Sequence, residues 1–278
     1  MMKNYFLLLF CAALFSCSNE SSELPESSKL SLEERSAQIR AEGICTTIEP
    51  KVSGSHTGRV SYKGTYWKPG ETIRIKFLNG DQNMQDMVKK YANEWTEYAN
   101  IKFEWVPCTN ESEWVVCKEE AEIKIAFGWG RDKGNWSKIG TAAKNTQNQP
   151  SMNLDYLSYG SDEDMIKRVV LHEFGHALGL GHEHQHPFAP IPWDLDLVYY
   201  YFDYIYGMSK GQVDEMYISK IPVNKADFDA FDKNSIMLYY IPCGLVLDCS
   251  GILSRKSFKL SDGDKKAIAL IYPPSKEN

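Results

Sequence analysis

The segment HEFGHALGLGHEHQHP, residues 172–187, contains five of the six histidines of this 278-residue chain. His172 and His176 are four positions apart, so on an α-helix their imidazoles lie on one face, about one turn apart, and can bind the same metal ion. Glu173 lies beside the position that such an ion would leave open. A metal site therefore constrains this chain more than any other feature of its sequence.

The third ligand of the predicted site is His182. If the helix continued, His182 would lie about 15 Å along its axis from His172, too far to bind the same ion. Gly179 resolves this, because glycine adopts the left-handed conformation that ends a helix and reverses the chain. The spacing thus predicts a helix that ends near Gly179 and a chain that returns His182 to the ion.

Three neutral imidazoles leave Zn²⁺ one or two open positions for water, which is typical of a catalytic site rather than a closed structural one. We therefore predict one catalytic Zn²⁺ ion, held by these three histidines, with Glu173 beside its open position. His184 and His186 are predicted to pack or to form hydrogen bonds instead of binding metal.

H-E-x-x-H-x-x-G-x-x-H is the signature of the metzincin metallopeptidases, in which a methionine-containing turn follows it. The segment SIMLYY, residues 235–240, resembles this Met-turn, with Met237 as its methionine. Glu183 directly follows the third histidine, and Tyr239 stands two residues after the methionine. In these features the chain resembles the astacin-like metzincins, over roughly residues 58–278.

The resemblance implies an α+β fold with two lobes and the active-site cleft between them. The N-lobe, residues 58–181, is expected to hold a mixed, mostly parallel sheet with two helices, and the C-lobe, residues 182–278, to be smaller, irregular and helical. Residue periodicity predicts strands at 72–78, 101–106, 122–128 and 151–157, and helices at 81–99, 161–180, 193–207 and 261–272.

The resemblance also implies hydrolysis of peptide bonds in proteins or peptides. Zinc would activate a water molecule, and Glu173 would take its proton as general base and return it to the leaving amine. The family assigns Tyr239 to the oxyanion and Met237 to an apolar floor under the ligands; a buried, hydrogen-bonded tyrosine is the alternative for Tyr239. Substrates are expected to pair with the sheet edge near residues 141–150.

The chain departs from the family at three points. Leu238 stands where astacins usually have histidine, the residues after Glu183 are His-Gln-His-Pro, and the cysteines are spaced for short local loops. The subsite preferences of the family therefore do not transfer, and the sequence does not identify the physiological substrate.

Residues 1–17 are predicted to be a signal peptide, because Lys3 precedes an apolar run too short to span a bilayer. The run ends in Leu-Phe-Ser-Cys17, which resembles the bacterial lipoprotein signal, where the cysteine becomes the lipidated first residue. The chain is thus expected to be exported and anchored to a membrane of a bacterial envelope. The alternative is a secreted protein whose Cys17 is not lipidated.

Residues 18–57 are predicted to combine a flexible polar tether, up to about residue 36, with a prosegment. In astacins the prosegment blocks the zinc before activation. The new amino terminus then folds towards the glutamate after the third histidine, which is Glu183 here. The activation cleavage point is not readable from the sequence.

The cysteines outside the signal peptide number five, and two local pairs are possible. Cys108 with Cys117, and Cys243 with Cys249, can each close a short loop in an oxidising compartment. Cys45 is then left over, and we expect its thiolate to bind zinc in the latent form unless it pairs with another cysteine.

The net charge of −6 and a pI near 5.6 provide no basic surface for a phosphate backbone, so nucleic acid is not expected as a partner. A monomer is expected. The rival function is a lipid-anchored binding or adhesion protein that keeps a non-catalytic zinc site, which the presence of Glu173 disfavours. A serralysin-like metzincin is disfavoured because the chain lacks Gly-Asp-rich calcium repeats.

Overall fold

The computed structural model describes residues 31–41, 61–62, 64–107, 119–129, 134–147, 149–155, 157, 161–221, 226–227, 230–248 and 257–274. Its α-helices are α1 Leu32–Ala41, α2 Gln82–Ala92, α3 Glu163–Ala177, α4 Leu195–Tyr206, α5 Lys210–Val213 and α6 Asp262–Ile271. Its strands are β1 Ser61–Tyr62, β2 Thr72–Phe77, β3 Lys102–Trp105, β4 Ile123–Ala126, β5 Asn135–Ser137, β6 Met152–Leu154 and β7 Ala226–Asp227. Short 3₁₀-helices lie at Asn93–Glu97, Gly140–Thr146, Glu183–Gln185 and Cys243–Leu245, and a π-helix at Asp214–Ile218.

A five-stranded sheet, in the order β3-β2-β4-β6-β5, forms one layer of the fold. Strands β2, β3, β4 and β6 are parallel, and β5 forms one edge, antiparallel to β6. Strand β2 forms because Ile73 and Ile75 point to the same face, and both are fully buried. This mixed, mostly parallel sheet with its helices confirms the predicted fold class.

Helices α2 and α3 pack against each other and share an apolar core with the sheet. Asp81 caps α2 by accepting a hydrogen bond from the Met84 amide at 3.0 Å. The Trp95 indole, just after α2, donates to the Leu171 carbonyl of α3 at 3.0 Å. These are the two helices expected beside the sheet. Their shared core and the Trp95 hydrogen bond hold α3 in position on it.

The C-terminal end of α3 is held by two side chains from distant parts of the chain. The Trp67 indole donates to the Ala177 carbonyl at 2.8 Å, and the Tyr272 hydroxyl donates to the Leu178 carbonyl at 2.8 Å. Both carbonyls therefore have partners without a further helical turn. Gly179 follows in the left-handed conformation, with φ of +94°, and the chain reverses there.

A second apolar core follows α3 along the chain. Its buried side chains come from α4, from residues 213–217 and from residues 239–246. Helix α6 instead packs Ile268, and Tyr272 just after it, into the core around the sheet. Within the described residues, no helix has both the length and the apolar character to cross a bilayer. The boundary between lobes at 181/182 stays a prediction.

Helix α1 lies in a stretch where a flexible tether was expected up to about residue 36. A capping box begins the helix: the Glu34 amide donates to Ser31 Oγ at 3.2 Å, and the Ser31 amide donates to the Glu34 carboxylate at 2.8 Å. Helix α1 packs against α4, and Arg35 forms an ion pair with Asp194 at 2.6 Å. The capping box and this contact account for order in a segment of polar composition.

The edge of the sheet is not where the sequence placed it. Residues Gly140–Thr146 form a 3₁₀-helix, and the strand at the edge is β5. The Thr141 amide donates to the Thr65 carbonyl at 2.7 Å, so this donor is already used within the chain. The expectation of a sheet edge at residues 141–150 was therefore wrong, and the pairing of substrates with the sheet stays a prediction.

Replacing Gly179 with alanine tests the chain reversal. A Cβ atom at this position would lie 2.9 Å from Cδ1 of Tyr66, in addition to the strain of a positive φ. We expect Gly179→Ala to lower the free energy of unfolding by about 2 kcal/mol or more, measured by urea denaturation. Gly207→Ala is the matched control, since Gly207 has φ of +63° and a Cβ atom added there would meet no atom within 4 Å, and it should cost about 1 kcal/mol. Equal losses would contradict the close approach.

Candidate functional site

Three histidines converge at the end of α3. His172 and His176 lie on α3 with ring centroids 4.8 Å apart, and His182, after the reversal, lies 5.3 Å and 4.5 Å from them. One nitrogen from each ring forms a cluster in which all such atoms lie within 4.8 Å of one another, and all three side chains are buried. The reversal at Gly179 therefore brings together the residues that the motif predicted as metal ligands.

Backbone carbonyls fix the tautomers of the two helical histidines. His172 Nδ1 donates to the Ile236 carbonyl at 2.8 Å, and His176 Nδ1 donates to the Leu180 carbonyl at 2.8 Å. A carbonyl oxygen only accepts, so each Nδ1 carries the proton and each Nε2 presents its lone pair. The two Nε2 atoms are thereby prepared as ligands.

These lone pairs fit a divalent cation. His172 Nε2 is buried and has no hydrogen-bond partner among the described residues, which is costly for a polar atom unless an ion binds it. His176 Nε2 and His182 Nε2 lie 3.0 Å apart. Nitrogen ligands held at such distances suit Zn²⁺, which takes imidazole at about 2.0–2.1 Å in tetrahedral geometry.

Burial keeps these imidazoles neutral. Loss of solvent, the largest cause, lowers the pKa of His172 and of His182 well below the ordinary value, and the neighbouring His176 adds to this in both. Loss of solvent also lowers the pKa of His176 to about 4. At neutral pH the three rings are therefore uncharged, the form in which histidine binds metal.

Glu173 lies within the histidine motif, whereas Tyr239 comes from a distant part of the chain and contacts the cluster. Glu173, on α3 between the two helical ligands, is only 1% exposed. The Tyr239 ring lies 4.1 Å from the His182 ring and 6.0 Å from the His172 ring, centroid to centroid. The tyrosine proposed for chemistry thus contacts the ligands, and the acid is buried on the helix that carries two of them.

Met237 and Glu183 support the cluster without belonging to it. Met237 is fully buried against α3 at Gly175, where a Cβ atom would collide with its Sδ. The Glu183 amide donates to the Met237 carbonyl at 3.0 Å, and Glu183 Oε1 accepts from the Asp232 amide at 2.7 Å. The sequence analysis did not single out Gly175, although a glycine inside a helix signals a close contact of this kind.

The two histidines that follow the motif, His184 and His186, are also buried. His184 stacks on Tyr239 with centroids 4.3 Å apart, and its Nε2 donates to the Met216 carbonyl at 3.0 Å. Burial, the largest cause, lowers the pKa of His184 to about 3. His186 Nδ1 accepts from the Phe188 amide at 3.1 Å. Both residues therefore pack and form hydrogen bonds, and His184 in addition fixes one face of Tyr239.

Most of the predicted cysteine sites lie outside the described residues. These are Cys17, Cys45, Cys108, Cys117 and Cys249. Cys243 lies within the described residues and is disulfide-bonded, while its partner is outside them. The pairings Cys108–Cys117 and Cys243–Cys249 therefore stay predictions.

The pH dependence of zinc binding tests whether burial controls the ligands. Exposed histidines begin to bind protons at about pH 6.5, so a site made of them loses affinity below that pH. Because the pKa of His176 is lowered to about 4, we expect the zinc affinity of the metal-depleted protein to stay constant from about pH 7 to about pH 5. Chelator competition at each pH measures it, with zinc bound by an exposed histidine tag as the control. A parallel decline of both would contradict the prediction.

The chain is similar to solved structures of known proteins, although it matches no family model. No protein-family model and no curated protein matches the chain. A structure of myroilysin matches with a TM-score of 0.68 and 34% identity, over 78% of this chain and 99% of that one. A crystal structure of myroilysin matches with a TM-score of 0.59 and 33% identity, over 84% and 93%. High choriolytic enzyme 1, a hatching enzyme zinc-protease from Oryzias latipes, gives a TM-score of 0.45 and 14% identity, over 81% and 98%.

Myroilysin is an astacin-like metalloprotease, and this chain is similar to it over nearly the whole length of the myroilysin chain. The three-histidine cluster fits the motif of the same family. The chain therefore belongs to the astacin-like metzincins and is a zinc metalloendopeptidase.

Proposed function

We propose that His172, His176 and His182 hold one catalytic zinc ion and that Glu173 is the general base of peptide-bond hydrolysis. The observation that carries this proposal is the convergence of three buried imidazoles at the end of α3, with Glu173 on the same helix. A purely structural zinc site has no use for a carboxylate beside its ligands.

Zinc, when bound, supplies Lewis acidity that polarises the scissile carbonyl and makes a water molecule easier to deprotonate. Glu173 accepts the proton of the attacking water and later delivers it to the leaving amine, which departs uncharged. The Tyr239 hydroxyl donates a hydrogen bond to the developing oxyanion. His184, stacked on Tyr239, limits the positions that this hydroxyl reaches.

Protein or peptide substrates, in this proposal, bind in extended form along β5. This strand is last in the sheet order, and its outer side has no strand partner within the described part of the chain. A substrate that pairs with β5 gains main-chain hydrogen bonds, which require no particular side chains. The same edge then aligns the scissile bond with the site.

Glu173→Gln tests the general base. The amide keeps the size of the side chain but cannot accept the proton, so we expect casein cleavage by the processed protein to fall at least about 100-fold, with unchanged zinc content. Glu163→Gln, an exposed residue of the same helix, should keep full activity, and a chelator should abolish it. If Glu173→Gln and the wild type cleave casein equally, Glu173 is not the base. If neither cleaves casein although zinc is bound, the binding or adhesion function is favoured.

The segment before the catalytic domain is proposed to be a prosegment that keeps the enzyme latent. Helix α1, within residues 18–57, packs on α4 and joins it through the Arg35–Asp194 ion pair. We propose that this contact anchors the segment, that the Cys45 thiolate binds zinc before activation, and that Glu183 receives the new amino terminus afterwards. Removal of the segment then frees the ion.

The amino-terminal region is further proposed to anchor the protein to a membrane of a bacterial envelope, as a monomer, through lipid on Cys17. Mass spectrometry of the purified proform tests both cysteines at once. We expect a free Cys45 thiol and an amino terminus that begins with diacylglyceryl-modified Cys17. A disulfide at Cys45 would remove the latency mechanism, and an unmodified amino terminus at Cys17 or elsewhere would remove the anchor. The two results are independent.

A further inference from the structure

Three hydrogen bonds, through one peptide group and one hydroxyl, connect the first histidine of the motif to a buried carboxylate on α6. His172 Nδ1 donates to the Ile236 carbonyl at 2.8 Å. The same peptide group continues as the Met237 amide, which donates to Ser235 Oγ at 3.0 Å. The Ser235 hydroxyl in turn donates to Asp264 Oδ1 at 2.6 Å. We name this series, from His172 to Asp264, the carboxylate relay.

The hydrogen bonds of the carboxylate relay all run in one direction. The peptide group accepts at its oxygen and donates at its nitrogen, and the hydroxyl does the same, so each bond polarises the next. Ser235 and Asp264 are each 1% exposed, and His172 is 4% exposed, so water does not weaken these bonds. Negative charge at Asp264 therefore increases the electron density on His172 Nε2.

We propose that Asp264 is a positioning residue for the metal ligand His172 and acts on it through Ser235 and the Met-turn peptide. The inference rests on the proposed role of His172 in zinc binding. Histidine ligands often donate their second nitrogen to a carboxylate, which fixes the ring and raises its basicity. Here the Asp264 carboxylate does not contact the His172 ring, because one peptide group and one hydroxyl lie between them.

Asp264 is itself held in place as an acceptor. Its Oδ2 accepts from the Ile236 amide at 2.8 Å and from the Ser261 amide at 2.9 Å. It also stands in the first turn of α6, where the helix dipole stabilises negative charge. Three donors and a helix N-terminus thus favour the anionic carboxylate, which ties α6 to both ends of the Ser235–Ile236 segment.

Two substitutions interrupt the relay at different points. Ser235→Ala removes the hydroxyl and leaves the two amide hydrogen bonds to Asp264 Oδ2 in place. Asp264→Asn removes the charge and keeps the shape. Ser261→Ala is the matched control, because Ser261 Oγ caps α6 by accepting from the Asp264 amide at 2.9 Å but does not take part in the relay. The control loosens the same helix end without touching the path to His172.

The experiment measures zinc affinity by chelator competition on the metal-depleted full-length protein, and the proton shift of His172 Nδ1–H by NMR of the zinc-loaded form. We expect Ser235→Ala and Asp264→Asn each to weaken zinc binding about tenfold or more and to move this proton upfield. Ser261→Ala should stay within about twofold of the wild type and leave the proton unmoved. Urea denaturation of all forms reports the loss of stability separately.

Three outcomes would overturn the relay. Unchanged zinc affinity in Ser235→Ala contradicts it even if Asp264→Asn fails to fold. An equal loss in Ser261→Ala assigns the effect to the end of α6 instead, and a His172 proton that does not move removes the electronic path. Failure of the proposed function is distinct from all of these: a wild type that binds zinc without cleaving casein removes the catalytic role and leaves the relay testable, and a wild type that binds no zinc at His172 removes the premise of both.

Discussion

The end of α3 is the constraint on which the rest of the structure depends. Trp67 and Tyr272, which are far apart in the sequence, donate to the carbonyls of its last residue and of its C-cap, so that neither carbonyl needs another helical turn. The chain then leaves the helix at Gly179 in a conformation that residues with a Cβ atom rarely adopt. His182 reaches the two helical histidines because of this exit. The metal site is thus a consequence of how a helix is terminated.

Burial of the histidine cluster has an energetic cost that the metal offsets. In the metal-free protein the buried imidazoles resist protonation, whereas those of the unfolded chain bind protons below about pH 6.5. The unfolded state therefore binds more protons as the pH falls from about 6.5 towards about 4, and stability falls with it, by about 1.4 kcal/mol per pH unit for each such histidine. A bound cation adds its binding free energy to the folded state and satisfies the buried His172 Nε2, but the unfolded chain still takes up protons, so the decrease with falling pH remains.

The sequence predicts the site better than its surroundings for a physical reason. The spacing of His172, His176 and Gly179 encodes local geometry, and local geometry is what a helix fixes. The partners that orient the rings are the backbone carbonyls of Ile236 and Leu180. Every residue has such a carbonyl, so the sequence does not indicate which ones will accept these hydrogen bonds. The same limit applies to residues 141–150, which were expected to form the sheet edge but include a 3₁₀-helix with a tertiary hydrogen bond from Thr141 to Thr65. Helix α1 had a readable signal, Ser-x-x-Glu, that polar composition concealed.

The two apolar cores hold different parts of the site. The helical ligands are anchored to the core around the sheet, whereas Tyr239 belongs to the second core. Its neighbours there include His184 and Tyr217, and Tyr217 stacks on Phe202 of α4, the helix that α1 covers. A displacement of Tyr239 therefore disturbs aromatic stacking in the second core and the contact with His182, whereas Ile236 and Leu180, whose carbonyls hold His172 and His176, belong to the core around the sheet. The two helical ligands and the tyrosine are thus held by different cores, and His182 is the ligand that contacts both the helical histidines and Tyr239.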